Sequence, residues 1–417
     1  MSILLDAVYL LGLVVTAPVW LARMIRTGKI RTDWIGRFGR TGPIPAPQRP
    51  RVLLHGVSVG EVNAIRKLVD QLAEPPIEAE VIVSATTNTG SERARSLFAG
   101  RHRVVRYPFD FSFAVNRFLR SVRPDIVVLT ELEVWPNFLR CAARRGITVC
   151  IVNGRLTDRS ARGYRLLRPL LRSSFGSLAF AAVQNEAYGR RFGEMGVAAD
   201  RVIVTGTMKW DTAEIADRVD GADELADALG IDRSRPLVVA GSTAPGEHEL
   251  LVESLGEGVQ LLCAPRRPEW FDQAAAAMPG CVRRSRGDRG SETGRFLLDT
   301  IGELRQAYAL ADVAVVGRSF GKLHGSDMME PVALGAATVT GPAVQDFQDT
   351  VDALLAGDGL VQTNREQLAN VLGDLLDDPQ RREQLARNGR AVLRQQQGAT
   401  DRNAELIRKA IDKQTAA

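Results

Sequence analysis

From Arg51 onward, short apolar runs that stop at small or polar turns alternate with amphipathic stretches, and this alternation constrains the fold more than any other feature. Alternating strands and helices are the pattern of a parallel sheet covered by helices. In such sheets ligands bind beyond the carboxyl ends of the strands, so the residues following each apolar run are the ones to read. Arg51–Gly56 reads as the first buried strand and Glu61–Leu72 as the amphipathic helix after it. Between them lies the small-residue turn Val57-Ser58-Val59-Gly60, whose outward N–H groups have the positive end of the helix dipole behind them. Glu61, on the first turn of that helix, faces the crevice, where a single carboxylate can take a proton from an incoming hydroxyl. The same place also suits an acid that merely offsets the helix dipole.

Further strands are read at Val81–Ala85, Arg103–Tyr107, Asp125–Leu129, Val149–Asn153, Ala179–Val183 and Arg201–Thr205. The Asp125–Leu129 run ends in Thr130-Glu131-Leu132-Glu133, and carboxylates at a strand end are costly to desolvate unless they have work or partners. Side chains alternate along a strand, so one of the two acids faces the crevice and Glu131 is the choice; a salt bridge to nearby arginines is the competing reading. Arg155, in the Arg-rich loop after Asn153, suits a phosphorylated acceptor because guanidinium forks match phosphate oxygens. Arg159, Arg162 and Arg165 of the same run suit it too, though some of these four read as a solvated helix face. Ser58, Gly60 and Arg155 form the candidate acceptor-binding set. Lys209, at the end of the Arg201–Thr205 run, can pair with Glu131 or neutralise a leaving phosphate.

Ala213–Gly230 reads as a charged helical connector, after which the pattern restarts at Pro236–Ala240, Gln260–Ala264, Arg295–Asp299 and Val313–Val316. Gly241-Ser242-Thr243 is a phosphate-cradle candidate. Pro265-Arg266 stands at a strand end, where Arg266 can hold a phosphate bidentately. Thr300 can cap a helix start, and Glu330 can accept from ribose hydroxyls. The stretch Glu366–Lys413 is helical and charged.

Before the alternation begins, Ala7–Ala22 is uncharged and mostly apolar. It falls short of the roughly 20 residues a full span wants unless Ile3–Leu5 and Asp6 are recruited. Arg23, Arg26, Lys29, Arg31, Arg37 and Arg40 crowd its carboxyl side. We read it as a membrane anchor, spanning or half-inserted, with Tyr9 and Trp20 as interfacial residues and the main body on the cytoplasmic side. A buried core helix is the alternative. Four scattered cysteines without a C-x-x-C pair and four scattered histidines give no disulfide framework and no metal-ligand spacing. A net charge of +5 suits an acidic partner, but aromatics at 6% not interleaved with basic residues argue against nucleic acid.

With these pieces in hand, the chain resembles the 3-deoxy-D-manno-octulosonic acid (Kdo) transferases of lipopolysaccharide assembly. The resemblance runs over essentially its whole length. It is carried by Ser58-Val-Gly-Glu61, Thr86-Thr-Asn-Thr-Gly90, Glu131-Leu-Glu-Val-Trp-Pro-Asn137, the run Asn153 to Tyr164, Gly206-Thr-Met-Lys-Trp-Asp211, Pro265-Arg-Arg-Pro-Glu269, Asp299-Thr-Ile-Gly-Glu-Leu304 and Glu330-Pro331. It implies the GT-B arrangement, two facing Rossmann-like α/β domains, here preceded by the N-terminal membrane-anchor helix. It implies transfer of Kdo from CMP-Kdo to a lipid A precursor at the inner membrane, with no cofactor beyond the donor and no metal. Glu61 then matches the family's proton acceptor, and Glu131 and Lys209 match its transition-state stabilisers. CMP falls to Pro265, Arg266, Ile301, Gly302, Glu303, Asp327, Met328, Met329 and Glu330. Three departures stand in the donor half: Ser326-Asp327 for the usual His-Asn, Arg267 for a His, and Ser242-Thr-Ala-Pro-Gly-Glu247 for Ser-Thr-His-Glu-Gly-Glu. The domains expected are an anchor at 1–26, a basic and proline-rich lead at 27–50, an acceptor domain at 51–212, a linker at 213–235, a donor domain at 236–390 and a terminal helix at 391–417. The competing functions are another GT-B nucleotide-sugar transferase or epimerase, and a membrane-tethered binding protein without catalysis.

Overall fold

The computed structural model describes residues 2–26 and 32–415. The chain divides into two compact α/β units: one runs to Thr212 and resumes at Gln397, the other is Ala213–Gln396. The first unit holds β1 (Arg51–Gly56), β2 (Glu80–Ala85), β3 (Arg103–Arg106), β4 (Ile126–Thr130), β5 (Thr148–Gly154), β6 (Ala181–Val183) and β7 (Val202–Val204). They form one parallel sheet in the order β3-β2-β1-β4-β5-β6-β7, with Val52 beside Val81 and Ile126. Strand order reverses between β1 and β4, which opens a crevice at their carboxyl ends. Both faces are covered, so the central strands are continuous apolar runs. Leu53, Val127 and Leu129 enter one core and Val52, Leu54, Ile126 and Val128 the other, by the twofold alternation of a strand.

The second unit repeats the plan with β8 (Leu237–Thr243), β9 (Gln260–Pro265), β10 (Val282–Arg283), β11 (Arg295–Leu297), β12 (Val313–Val316), β13 (Ala337–Thr340) and β14 (Val361–Gln362). Their order is β10-β11-β9-β8-β12-β13-β14, again parallel, with the reversal between β8 and β12.

Several elements differ from the sequence reading. The Glu61–Leu72 helix is two helices, Val59–Ala64 and Arg66–Ala73, joined at buried Ile65 (φ −84°, ψ −2°). Of the Ala213–Gly230 segment only Ala222–Leu229 is α-helical, bounded by Gly221 and Gly230 in left-handed conformations; its Leu225 and Leu229 pack beside Leu237 and Val239. The final helix Ala399–Thr415 lays Ala399, Ile407 and Ile411 into the first unit's core. Asp211 fastens its start by accepting from Gly398 N (2.7 Å), Thr400 N (2.6 Å) and Thr400 Oγ1 (2.7 Å).

The N-terminal helix, Ser2–Arg26, is tied to the first unit by polar groups. Asp6 accepts from Ser112 N and Asn137 Nδ2, each at 2.9 Å, and Tyr9 donates to Asp110 at 3.0 Å while meeting Phe111 edge-on. Tyr9 is therefore a packing and hydrogen-bonding residue of this unit, not the interfacial residue read from sequence, and Asp6 already has protein partners. Leu10, Leu11, Val14, Val15 and Val19 stay exposed. Among the described residues no helix is long and apolar enough to cross a membrane. Lys29 and Arg31 of the basic collar, and the side chains of Trp20 and Arg23, lie outside the described residues.

Candidate functional site

The turn after β1 is shaped from beneath by the Thr86–Gly90 motif. Thr87 donates its N–H (2.9 Å) and its hydroxyl (3.0 Å) to Val57 O, and its hydroxyl in turn accepts from Gly90 N at 3.0 Å. A Cβ on Gly90 would come within 2.9 Å of Val57 O, so only glycine lets the two segments approach this closely. The turn so held presents Glu61. One of its oxygens accepts from Val57 N at 3.0 Å and from Thr130 Oγ1 at 2.6 Å, the other from Ser58 Oγ at 3.1 Å. Glu61 is half-buried, held by one amide and two hydroxyls, and hydroxyls can swing to other partners. Ser58, Gly60 and Glu61 thus share one turn.

Glu131 does not continue the strand. Immediately after β4 the chain turns with Glu131 at φ +52°, and its N–H donates to Val152 O. Left-handed backbone at a non-glycine residue is strained and gathers at functional sites. Burial raises the Glu131 carboxyl above its usual range and the charge of Glu61 adds to this; Arg155 and Lys209 pull it down, and Glu133 pushes it up slightly. Glu61, Glu131, Arg155 and Lys209 therefore share one electrostatic neighbourhood. Lys209 is exposed, on a turn anchored where Asn153 Oδ1 accepts from Met208 N at 3.2 Å. Glu133 also acts weakly on Glu131, and its own partners are Trp135 Nε1 at 2.7 Å and His55 Nε2 at 3.8 Å rather than arginines.

Sequence reasoning missed Thr130, Asn153 and His55. Thr130 was signalled by being the one polar residue of Ile-Val-Val-Leu-Thr; His55, stacked on Tyr107 at 3.8 Å and bonded to Ser84, looked like any strand residue.

In the second unit the candidate donor residues fall into three groups. Pro265, buried, ends β9; Arg266, exposed, donates its N–H to Thr243 O at 3.0 Å; neighbouring Arg267 lies over the Trp270 ring. Ile301 is 82% exposed and Gly302 turns at φ +105°. Glu303 accepts from Arg284, a residue absent from the sequence-based set, at 2.9 Å, and from Thr300. These contacts hold Glu303 below the usual carboxylate range against the opposing effect of burial. Beyond β12, Asp327 caps Met329 N at 2.9 Å. Met328 and Met329 are buried, so neither presents its side chain to a ligand. Burial raises the Glu330 carboxyl, Arg305 at 4.0 Å lowers it and Asp327 raises it again. Ser326 Oγ and Tyr308 Oη are buried without hydrogen-bond partners.

Residues 32–212 match the family model for 3-deoxy-D-manno-octulosonic-acid transferase (kdotransferase). A 3-deoxy-D-manno-octulosonic acid transferase of Bordetella pertussis is 33% identical, the alignment covering 96% of this chain and 98% of that one. That of Haemophilus influenzae is 29% identical, over 93% and 94%. Among solved structures, a UDP-GlcNAc 2-epimerase from Neisseria meningitidis superposes with a TM-score of 0.57 over 86% of this chain and all of its own, at 12% identity. That likeness is one of fold: two parallel-sheet α/β units of the kind GT-B glycosyltransferases share.

Proposed function

The chain belongs to the 3-deoxy-D-manno-octulosonic acid transferase family, and on that premise we propose that it moves Kdo from CMP-Kdo to a lipid A precursor. The observation that carries the reading is the Glu61 carboxylate, held by Val57 N, Ser58 Oγ and Thr130 Oγ1 and acting, with Arg155 and Lys209, on the neighbouring Glu131. Glu61 accepts the proton of the acceptor's primary hydroxyl as that oxygen attacks the anomeric carbon of Kdo. The bond from that carbon to the CMP phosphate breaks, and CMP leaves with its charge balanced by Arg266 and nearby N–H groups of the second unit. One base contributes roughly 10²–10⁴-fold, and orientation of the two substrates contributes more. Lys209 offsets the negative charge that builds near Glu131, and Arg155, Ser58 and Gly60 receive the acceptor. No cofactor besides the donor enters this scheme.

The exposed face of the N-terminal helix, Leu10, Leu11, Val14, Val15 and Val19, is where the protein meets the inner membrane, with both units on its cytoplasmic side. Exposed Arg40 beyond it favours anionic lipid, whereas Arg37 of the basic collar is turned into the protein, donating to Thr86 O and lying over the Phe109 ring.

Incubation of the protein with CMP-Kdo and a lipid A precursor, read by mass spectrometry, tests the assignment: the acceptor gains the mass of Kdo, and an unchanged acceptor removes it. Heat protection by CMP but not by UDP separates this activity from that of a UDP-sugar enzyme of the same fold.

A further inference from the structure

We propose that Glu247 is a positioning residue for the nucleotide donor, holding the backbone of Arg318–Phe320 so that the loop leading to Asp327 and Glu330 keeps its binding shape. The proposal rests on the reading that this loop receives the CMP-sugar. Glu247 is the first residue of the Glu247–Glu253 helix after β8, and it is 3% exposed. One oxygen accepts from Ala244 N (2.9 Å) and Arg318 N (2.8 Å), the other from Ser319 N (2.9 Å) and Phe320 N (3.0 Å). A carboxylate accepting four backbone N–H groups is satisfied on both oxygens and has nothing left for a substrate. Its work is on the backbone.

That backbone needs holding. Arg318 sits at φ +58°, in the left-handed region an arginine adopts with strain. Gly317 before it has no room for a side chain: a Cβ would lie 2.6 Å from Thr243 Cα and 2.9 Å from the Glu247 carboxylate. Once fixed, Arg318 closes the loop on itself, its carbonyl accepting from Gly325 N (2.8 Å) and its guanidinium donating to Leu323 O (2.9 Å). Ser326 to Glu330 follow directly. Arg365 adds a second clasp, donating to Phe320 O (3.4 Å) and to Gly246 O (3.1 Å) beside Glu247. The helix start and the donor loop are thereby stitched at two points.

The Glu247→Gln variant of the full-length protein tests this. The glutamine amide turns donors toward N–H donors, so two of the four amides lose their acceptor. The expected result is a rise of about tenfold in the CMP dissociation constant and in the KM for CMP-Kdo, with kcat within about threefold of the parent. Glu247→Asp, which keeps the charge on a shorter reach, restores part of the loss. If Glu247→Gln does not fold, Arg365→Met decides: exposed and outside the core, it loosens the same loop and raises the donor KM about threefold. Unchanged donor affinity in the folded variant, whatever its Tm, reduces Glu247 to a structural acid and overturns the proposal. So does a fall in kcat at unchanged donor KM. Absence of CMP binding by the unaltered protein would instead fault the functional reading on which the proposal stands.

Discussion

Glu61 and Glu247 occupy corresponding places in two sheets of like order: each lies on the first turn of the helix after the central strand, and each reaches across to the carboxyl end of the strand beyond the reversal or the turn just after it. Their surroundings part company at the donors. Glu61 meets one amide and two hydroxyls and is half-exposed; Glu247 meets four amides and is closed to solvent. Backbone N–H groups have no other orientation to adopt, whereas Ser58 and Thr130 hydroxyls can rotate and release an oxygen. The first carboxylate is free to act on a ligand and the second is committed to the fold. Topology supplies the position, and the donor type decides what an acid there can do.

The largest expected effect falls on Glu61. Glu61→Gln keeps the size of the side chain and removes the base, so kcat falls by about 10²–10⁴ while the donor KM stays within about threefold. Measuring kcat and KM for CMP-Kdo in one experiment checks this. A variant with near-parental kcat would erase the distinction between the two acids.

Next comes the stability of the second unit. Glu247→Ala orphans four N–H groups beneath a closed surface and costs about 3 kcal/mol or more, seen as a lowered denaturant midpoint. Glu61→Ala leaves one amide and two hydroxyls near water and costs under about 1 kcal/mol. Equal losses at the two sites would mean that Glu61 is as structural as its counterpart.

Much of this contrast was legible in the sequence, and the illegible part has physical causes. The strands from Arg51–Gly56 to Val313–Val316 are apolar because both sheet faces are covered, and that pattern survives translation to one dimension. β10 and β14, at two residues each, are too short to show a period, and the Ala337–Thr340 strand went unread. The acids could be found because charge at a strand end is conspicuous. Thr130 carried a faint signal as the polar end of an apolar run, but Asn153 and Arg284 could not be found, since their roles arise from what they touch and not from their neighbours in the chain. Glu247 was legible as part of a departed motif, yet three of its four amide partners come from a loop 71 to 73 residues on, and only Ala244 N is a near neighbour. The N-terminal helix was read from its apolarity, which says nothing of the polar tie made by Asp6 and Tyr9.

A smaller effect tests whether Glu131 belongs with the acting acid or the committed one. Its carboxyl is raised chiefly by burial and then by Glu61. A raised acid favours the folded state below its unfolded pKa, and that contribution is lost as pH rises through the folded value. Near neutral pH the ionised Glu131 is therefore a burden on the fold. Glu131→Gln raises Tm by on the order of 2 °C at pH 7, and the gain shrinks as pH falls through the raised folded value and is gone below the usual carboxylate range. Transfer activity falls in the same variant. Higher stability with lower activity marks a site, where the Glu247 variants lose stability instead. A lowered Tm at pH 7 would move Glu131 to the structural side.

The smallest effect concerns the left-handed residues that follow the strand beyond each reversal, Glu131 at φ +52° after β4 and Arg318 at φ +58° after β12. Glycine takes this conformation without strain but also gains freedom in the unfolded chain, and the two contributions oppose each other. Arg318→Gly additionally forfeits the bond to Leu323 O, so its stability stays within about 0.5 kcal/mol of the parent. Arg318→Val keeps a side chain that resists the left-handed region and loses about 1–2 kcal/mol. The informative quantity is what the same pair of changes does to function. At Arg318 glycine preserves donor affinity, because Glu247 still fixes the turn through the backbone; at Glu131 glycine is equally tolerated by the fold but removes the carboxylate and lowers kcat. If Arg318→Gly weakened CMP binding as strongly as Glu247→Gln, the side chain rather than the held backbone would be what the donor feels, and the committed acid would have to share its role with the residue it positions.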